Sequence, residues 1–354
     1  MSKHEEKGEV SMRVCMEIPG RVVSSRDEKK TEREMGRYLD EISGVGADSI
    51  ATTLIGGYRS NIFRTNTNGI PPVLRVAKER NFKVYLHFSC GYGLWKHMDL
   101  DKDKMYEPGV DVSVLKRKFI WPPSGLVNWP CMSWETNRNA AVRIVEEFTR
   151  DHDADALLMD FARYPNGVEL LREFPCQCQA CRTARKAWLG HECFTPAEIH
   201  DPAVQYKEIQ FRHNCLTEMV KQLRDIVQKK GMKFGLCARA RYFEDAVVEG
   251  QDWASWAARG LLDVVVPMSF SQTFGWFIDT FKMAVEHHKT LLSGVRDRIE
   301  YYEFISKSAE LGPLQLSTFK KQIEIVREAD IDGVFLYGME EKEDYEAVKE
   351  VCCV

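Results

Sequence analysis

Short apolar segments alternate with longer amphipathic segments from residue 12 to the end of the chain. The run Ala156–Met159 has no polar face, which is typical of a strand buried on both sides in a parallel sheet. We predict eight strands in all. They are Met12–Ile18, Ser49–Ile55, Phe82–Ser89, the strand that ends at Asp160, Lys233–Leu236, Leu262–Met268, Thr290–Val295 and Gly333–Tyr337.

The segments between these strands predict helices. The longest, about Tyr206–Lys230, places Leu216, Met219, Val220 and Leu223 on one apolar stripe, and Gly231 ends it. The other predicted helices are Glu28–Ile42, Pro72–Arg80, Asn137–Thr149, Trp253–Arg259, Trp276–His287, Phe319–Ala329 and Lys342–Val351.

Eight strand–helix units in this length predict an α/β chain folded as a (β/α)8 barrel. A doubly wound open sheet is the competing fold, but it normally has a glycine-rich phosphate turn after its first strand, where this chain has Pro19-Gly20-Arg21-Val22. We expect a disordered tail over residues 1–11 and one barrel domain over 12–354. A long insertion, about Leu94–Ser133, follows the third strand, and a cysteine-rich loop follows the fourth.

Composition narrows the function classes. The 354 residues are 44% hydrophobic, which suits one barrel-sized core, and the net charge of -4 without a basic block argues against a nucleic-acid partner. No apolar run reaches 18 residues, so we expect no membrane span. The absence of an export signal and the odd number of cysteines, 11, predict reduced thiols in the cytoplasm. A chain whose leader had been removed would show the same pattern.

The stretch after Met159 has the strongest chemical signal. Asp160, Arg163 and Tyr164 follow a buried strand within five residues, and Pro165 ends the segment. Removing a carboxylate from water at such a strand end costs free energy, so its presence there indicates a functional role. The alternative is that Asp160 only caps a loop or pairs with Arg163.

Active sites of these barrels lie at the carboxyl ends of the strands, so side chains at or just after each predicted strand end are candidates. The candidates are Glu17, His87, Asp160, Arg163, Tyr164, Arg239, Glu244, Ser269, Asp297 and Tyr337. The predicted strands lack the histidine pair of metal-dependent hydrolase barrels and a Gly-x-Ser-x-Gly nucleophile turn. The insertion adds four tryptophans, of which Trp129 is the candidate for stacking on a sugar ring, although such loops also bury tryptophan.

Cysteines cluster after the fourth strand. Cys176, Cys178 and Cys181, together with His191 or Cys193, form a possible tetrahedral structural zinc site. Free thiols in a packed loop are the alternative interpretation.

The chain resembles the family-10-like glycosyl hydrolases, the GHL-type barrels of bacteria. The segment 155–165, DALLMDFARYP, is similar to their signature Asp-Gly-(apolar)3-Asp-Tyr-x-Arg-Tyr-Pro. Trp253, Trp256 and the run Pro267-Met268-Ser269-Phe270 resemble their sixth-strand motif. The chain departs from the pattern at Ala156 for Gly, and at Phe161 and Phe270 for Tyr, so the substrate is less defined than the fold.

The resemblance implies a glycoside hydrolase that needs no cofactor, with a carbohydrate substrate and Asp160 as a catalytic carboxylate. Glycosidases usually use two carboxyl groups, and Glu17, Glu244 and Asp297 remain open as the second. His87 and Tyr164 would bind sugar hydroxyls. A sugar-binding barrel without catalysis is one alternative. A lyase or isomerase acting on an anionic sugar is another, since Arg239, Arg241 and Arg296 would suit a negative charge.

Overall fold

The computed structural model describes residues 12–23, 27–55, 70–91, 104–105, 107, 129–165, 175–309, 312–339 and 341–353. The predicted tail over residues 1–11 lies outside these ranges. Most of the predicted insertion after the third strand, with Trp95 and Trp121, also lies outside them.

Eight parallel strands close into a barrel, which confirms the predicted (β/α)8 fold. Each strand pairs with its neighbours in chain order, and the last strand pairs with the first. The strands are β1 (Arg13–Glu17), β2 (Ser49–Ile55), β3 (Lys83–Ser89), β4 (Ala156–Asp160), β5 (Lys233–Arg239), β6 (Val264–Met268), β7 (Glu300–Ser306) and β8 (Gly333–Tyr337).

Helices surround the barrel. They are α1 (Gly20–Val23), α2 (Glu28–Ser43), α3 (Ile70–Glu79), α4 (Glu135–Asp151), α5 (Gln179–Leu189), α6 (Pro196–Ile199), α7 (Pro202–Lys229), α8 (Trp253–Ala258), α9 (Ser271–Phe274), α10 (Ile278–Leu292), α11 (Leu316–Glu328) and α12 (Lys342–Cys352). Helix α5 lies where the sequence indicated an irregular loop. A π-helical turn, Tyr242–Ala246, follows β5.

Alternation along the strands separates two cores. One core fills the barrel interior with side chains such as Cys15, Tyr85, Leu158, Cys237 and Phe335. The intervening residues of each strand face the helices and form the larger outer core. Because side chains two apart on a strand share a face, the interior core fixes which strand-end residues point into the mouth of the barrel.

The predicted seventh strand is wrong. Residues Thr290–Val295 form the end of α10 and a single 3-10 turn, and their apolar residues continue the buried face of that helix. The strand is the next segment, β7, whose two glutamates hid its apolar pattern. Asp297 and Arg296 therefore precede β7 at the amino-terminal mouth, where Asp297 is exposed and Arg296 pairs with Asp332 at 2.7 Å.

Polar side chains fill this amino-terminal mouth. The Glu300 carboxylate accepts hydrogen bonds from Arg13 at 2.9 Å and from Lys233 at 2.7 Å. The hydroxyls of Tyr85 and Tyr302 lie 3.0 Å apart, and Arg13 lies over the Tyr302 ring. This layer leaves the carboxyl ends of the strands as the end at which a substrate could enter.

The second glutamate of β7, Glu303, is fully buried behind the barrel wall. His288 of α10 contacts it through Nδ1 at 2.7 Å and contacts the Ala240 carbonyl through Nε2 at 2.7 Å. The Ser269 hydroxyl donates to Glu303 Oε2 at 2.6 Å, and the Tyr301 hydroxyl donates to Glu303 Oε1. Burial alone would lower the pKa of His288, but the Glu303 carboxylate and the Ala240 carbonyl raise it above its ordinary value.

We predict that Glu303→Gln lowers the free energy of unfolding by about 3–5 kcal/mol at mildly acidic pH, because it leaves a buried imidazolium without its counter-charge. A raised folded-state pKa stabilises the fold fully below the ordinary histidine pKa of about 6.5, and this contribution is lost as pH rises through the folded-state value. Urea unfolding over a pH series should therefore show the largest difference from wild type at the acidic end.

Glu324→Gln is the matched control. It removes one carboxylate from the surface pair with Lys321 at 2.9 Å, where solvent screens the charges. Its effect should be small at every pH. A Glu303→Gln effect of constant size across the series would contradict the charged His288–Glu303 pair.

Candidate active site

Two carboxyl groups point into the open mouth from different parts of the barrel wall. Glu17 ends β1 on the same face as the interior residue Cys15, and Asp160 ends β4 on the same face as Leu158. Two strands, β2 and β3, separate them around the barrel. Both predicted positions therefore lie at the mouth where such barrels hold their active sites.

The two carboxyl groups differ in proton affinity. Burial and the neighbouring charge of Asp160 raise the pKa of Glu17 to about 8. Burial also raises the pKa of Asp160, to about 6, but the Phe161 N–H and the guanidinium groups of Arg163 and Arg239 limit this rise. Near neutral pH, Asp160 is therefore ionised while Glu17 keeps its proton.

The backbone after Asp160 is strained. Phe161 has a φ of 52°, in the left-handed region that residues with a side chain rarely adopt. This conformation directs the Phe161 N–H to Asp160 Oδ1 at 2.7 Å, and the Arg163 N–H donates to the Phe161 carbonyl at 2.8 Å. Strain of this kind accumulates at functional sites, where the surrounding structure maintains it.

Arg163 and Arg239, which act on Asp160, belong to a larger charged network of three arginines and two buried carboxylates. We call Arg163, Arg239, Arg241, Asp245 and Glu249 the arginine cluster. Arg163 Nε lies 3.5 Å from Glu249 Oε2, and Arg239 Nε lies 3.1 Å from the same oxygen. The Asp245 carboxylate accepts a hydrogen bond from Arg239 Nη2 at 2.9 Å. It also accepts hydrogen bonds from Arg241 Nε at 2.9 Å and from Arg241 Nη2 at 2.7 Å.

The arginine cluster answers two questions that the sequence left open. The first is the partner of Arg163: its ion pair is with Glu249, and not with Asp160 as the structural alternative assumed. The charges of Asp160, Asp245 and Glu249 also balance the three arginines. Because Arg296 lies at the opposite mouth, the arginine set that suggested an anionic substrate is not assembled here.

Two predicted binding residues point into the barrel near its carboxyl end, where His87 is buried and Tyr337 is half-buried. His87 points inward from β3 and stacks on Phe335, with ring centroids 6.3 Å apart. Burial lowers its pKa to about 4, so the ring is neutral near pH 7. Its Nε2 has no hydrogen-bond partner within the described part of the chain. Tyr337, at the end of β8, stacks on Phe270 at 6.1 Å.

Other predicted binding residues are buried in the supporting wall. Trp129 is 6% exposed, and its indole N–H donates to the Arg163 carbonyl at 3.0 Å. The hydroxyls of Tyr164 and Ser133 lie 2.8 Å apart. Ser269 is bound to Glu303 behind β7. These side chains hold the mouth in shape and offer little surface to a ligand.

The three candidates for the second carboxylate are no longer equivalent. Glu244 is exposed on the π-helical turn after β5, and Asp297 is at the far mouth, so its predicted position was wrong. Glu17 faces the same mouth as Asp160, and the charge of Asp160 contributes to the raised pKa of Glu17. The sequence search also missed Glu249 as a site residue, because nothing in its spacing marks it as the partner of Arg163 and Arg239.

The cysteine cluster is real, but its fourth member differs from the prediction. Cys131, Cys176, Cys178 and Cys181 are buried, and their sulfur atoms lie within 4.8 Å of one another. Cys193 is exposed, and His191 instead contacts Glu198 at 3.0 Å. Cys131 comes from the insertion after β3, 45 residues before Cys176. Its spacing from the other three cysteines gives no sign that it belongs with them.

Comparisons with solved structures find several glycoside-hydrolase barrels. The PgaB (BpsB) glycoside hydrolase domain from Bordetella bronchiseptica superposes with a TM-score of 0.70 at 13% identity, covering 97% of this chain and 99% of that one. A β-galactosidase from Marinomonas ef1 has a TM-score of 0.65 at 12% identity, over 97% of this chain and 59% of that one.

An endo-β-1,4-mannanase from Thermotoga petrophila has a TM-score of 0.53 at 11% identity, over 98% of this chain and 77% of that one. No protein-family model and no curated protein sequence matches the chain. At these identities the likeness establishes the barrel fold.

No described helix is long and apolar enough to cross a membrane.

We predict that Arg239→Met raises the pKa of Asp160 above about 6, because it removes one of the two guanidinium groups that favour the carboxylate. Carbon-13 NMR of the labelled aspartate carboxyl groups in the folded variant would measure this. Arg241→Met is the matched control, because Arg241 also binds Asp245 but does not act on Asp160. Equal shifts in both variants would contradict the assignment.

Proposed function

We propose that the protein is a glycoside hydrolase in which Glu17 and Asp160 are the two catalytic carboxyl groups. The observation that carries the proposal is their pairing at one open mouth with separated pKa values, about 8 and about 6. When their environments separate the pKa values of two carboxyl groups in this way, one site can supply an acid and a base at the same pH. The resemblance to the GHL-type barrels and the glycoside-hydrolase fold neighbours support it.

In this proposal Glu17 is the general acid. Its proton passes to the glycosidic oxygen as the bond from that oxygen to the anomeric carbon breaks. The Asp160 carboxylate faces the positive charge that develops at the anomeric carbon. It then either bonds to that carbon or takes a proton from the attacking water, and water supplies the hydroxyl of the released sugar. No cofactor enters this scheme.

The lining of the mouth favours an uncharged sugar. The arginine cluster is balanced by its own carboxylates and by Asp160, so no guanidinium is left in excess for an acidic group. The neutral His87 ring has a free Nε2 within the described chain and would bind a sugar hydroxyl. Tyr337 and Phe270 would stack on the apolar face of a ring.

The compartment and the domain boundaries remain predictions: a cytoplasmic protein with one barrel domain over residues 12–354.

We predict a bell-shaped dependence of kcat/KM on pH. Below about pH 6 Asp160 takes up a proton, and above about pH 8 Glu17 loses one, so the active protonation state is most populated between these values. Hydrolysis of nitrophenyl glycosides across a pH series would measure both limbs. Glu17→Gln should abolish the alkaline limb. A profile that is flat across this range would contradict the assigned roles.

Leaving-group dependence separates the two roles. Glu17→Gln should lower the hydrolysis of natural oligosaccharides by about 10²–10⁴-fold but spare dinitrophenyl glycosides, whose leaving group needs no proton. Asp160→Asn should lower the hydrolysis of both by a similar factor, with the fold retained in a circular dichroism spectrum. A folded Asp160→Asn protein with wild-type turnover would overturn the proposal. Wild-type protein that binds sugars without hydrolysing any would support the sugar-binding alternative.

A further inference from the structure

Four thiols from two separate chain segments meet at one point beside the barrel. Cys131 belongs to the loop before α4, Cys176 and Cys178 precede α5, and Cys181 lies in the first turn of α5. Cys131 Sγ lies 3.6 Å from Cys181 Sγ and 3.7 Å from Cys176 Sγ. All four are buried, and the described chain forms no disulfide among them.

The spacing matches a metal tetrahedron. Four sulfurs bound to zinc at about 2.3 Å lie about 3.8 Å from one another, by the geometry of a tetrahedron. The separations of Cys131 Sγ from Cys181 Sγ and from Cys176 Sγ are close to this edge, and all six sulfur pairs lie within 4.8 Å. Disulfide bonds, by contrast, need sulfurs about 2.05 Å apart and would join the thiols only in pairs.

We propose that Cys131, Cys176, Cys178 and Cys181 bind one zinc ion as a structural site. Four protein ligands complete the tetrahedral coordination of zinc and leave no position for water or substrate, so the site is not catalytic. Binding converts the thiols to thiolates and releases their protons to solvent. The Glu107 N–H donates to Cys176 Sγ at 3.4 Å, and the Ser133 hydroxyl lies 3.0 Å from Cys181 Sγ. Such outer hydrogen bonds stabilise thiolate ligands.

The proposed zinc site also supports the candidate active site. Ser133 joins Cys181 to Tyr164, and Trp129, two residues before Cys131, holds the Arg163 backbone carbonyl. Arg163 and Tyr164 belong to the loop that directly follows Asp160. A metal that ties the Cys131 segment to α5 would therefore fix the loop that positions the Asp160 carboxylate.

Elemental analysis and X-ray absorption on the purified full chain test the proposal directly. We expect close to one zinc per chain and a shell of four sulfurs at about 2.3 Å. Little zinc, iron in its place, a shell containing nitrogen, or disulfides between these cysteines in the mass spectrum would each overturn it. These wild-type measurements do not depend on a variant that folds.

Matched serine variants identify the ligands. Cys131→Ser should lose zinc, whereas Cys193→Ser, at an exposed cysteine outside the cluster, should retain it. Retention by Cys131→Ser together with loss by Cys193→Ser would restore the ligand set first predicted from the sequence and overturn this one. Asp160→Asn should keep its zinc, so failure of the glycosidase proposal and failure of the zinc proposal give different results.

Discussion

The burial of two carboxyl groups at one barrel mouth is the constraint on which the rest of this structure depends. An isolated carboxylate removed from water is costly, and it either takes up a proton or requires positive charge nearby. Glu17 follows the first course and Asp160 the second, because Arg163 and Arg239 lie on the Asp160 side. Those buried guanidinium groups in turn require Asp245 and Glu249, which extends the charged network from β4 to the turn after β5.

Rigid elements hold this network. Asp160 and Arg239 are strand-end residues, so the barrel hydrogen bonds place them, and Gln251 receives the Arg239 backbone N–H at 2.7 Å. The left-handed Phe161 allows the chain to turn immediately after Asp160. Around it, Trp129 and Ser133 brace the same loop from the segment that also carries Cys131. The residues that line the mouth and those that support it thus come from different parts of the sequence.

The electrostatic balance bears on the kind of ligand that the mouth could accept. A mouth whose arginines are already paired offers hydrogen bonds and aromatic faces more readily than a net positive charge, and this arrangement suits a neutral ligand with hydroxyl groups. The fully buried pair of His288 and Glu303 on the outer side of β7 has no part in this chemistry. It stabilises the wall behind the mouth, and it explains why Ser269 points away from the mouth.

The sequence by itself determined the barrel, because strand–helix alternation and apolar strands are local patterns that report burial. It also placed Asp160 at the end of a buried strand, because that strand and the Arg163 and Tyr164 that follow it are adjacent in the chain. It failed at β7, where two glutamates disguised a strand, and the prediction therefore put Asp297 at the wrong mouth. Only the tertiary structure placed Glu17 in the mouth and Glu244 on an exposed turn, joined Arg163 to Glu249 and brought Cys131 to the other cysteines. These relations depend on distances between residues far apart in the chain, and such distances exist only after the barrel has closed.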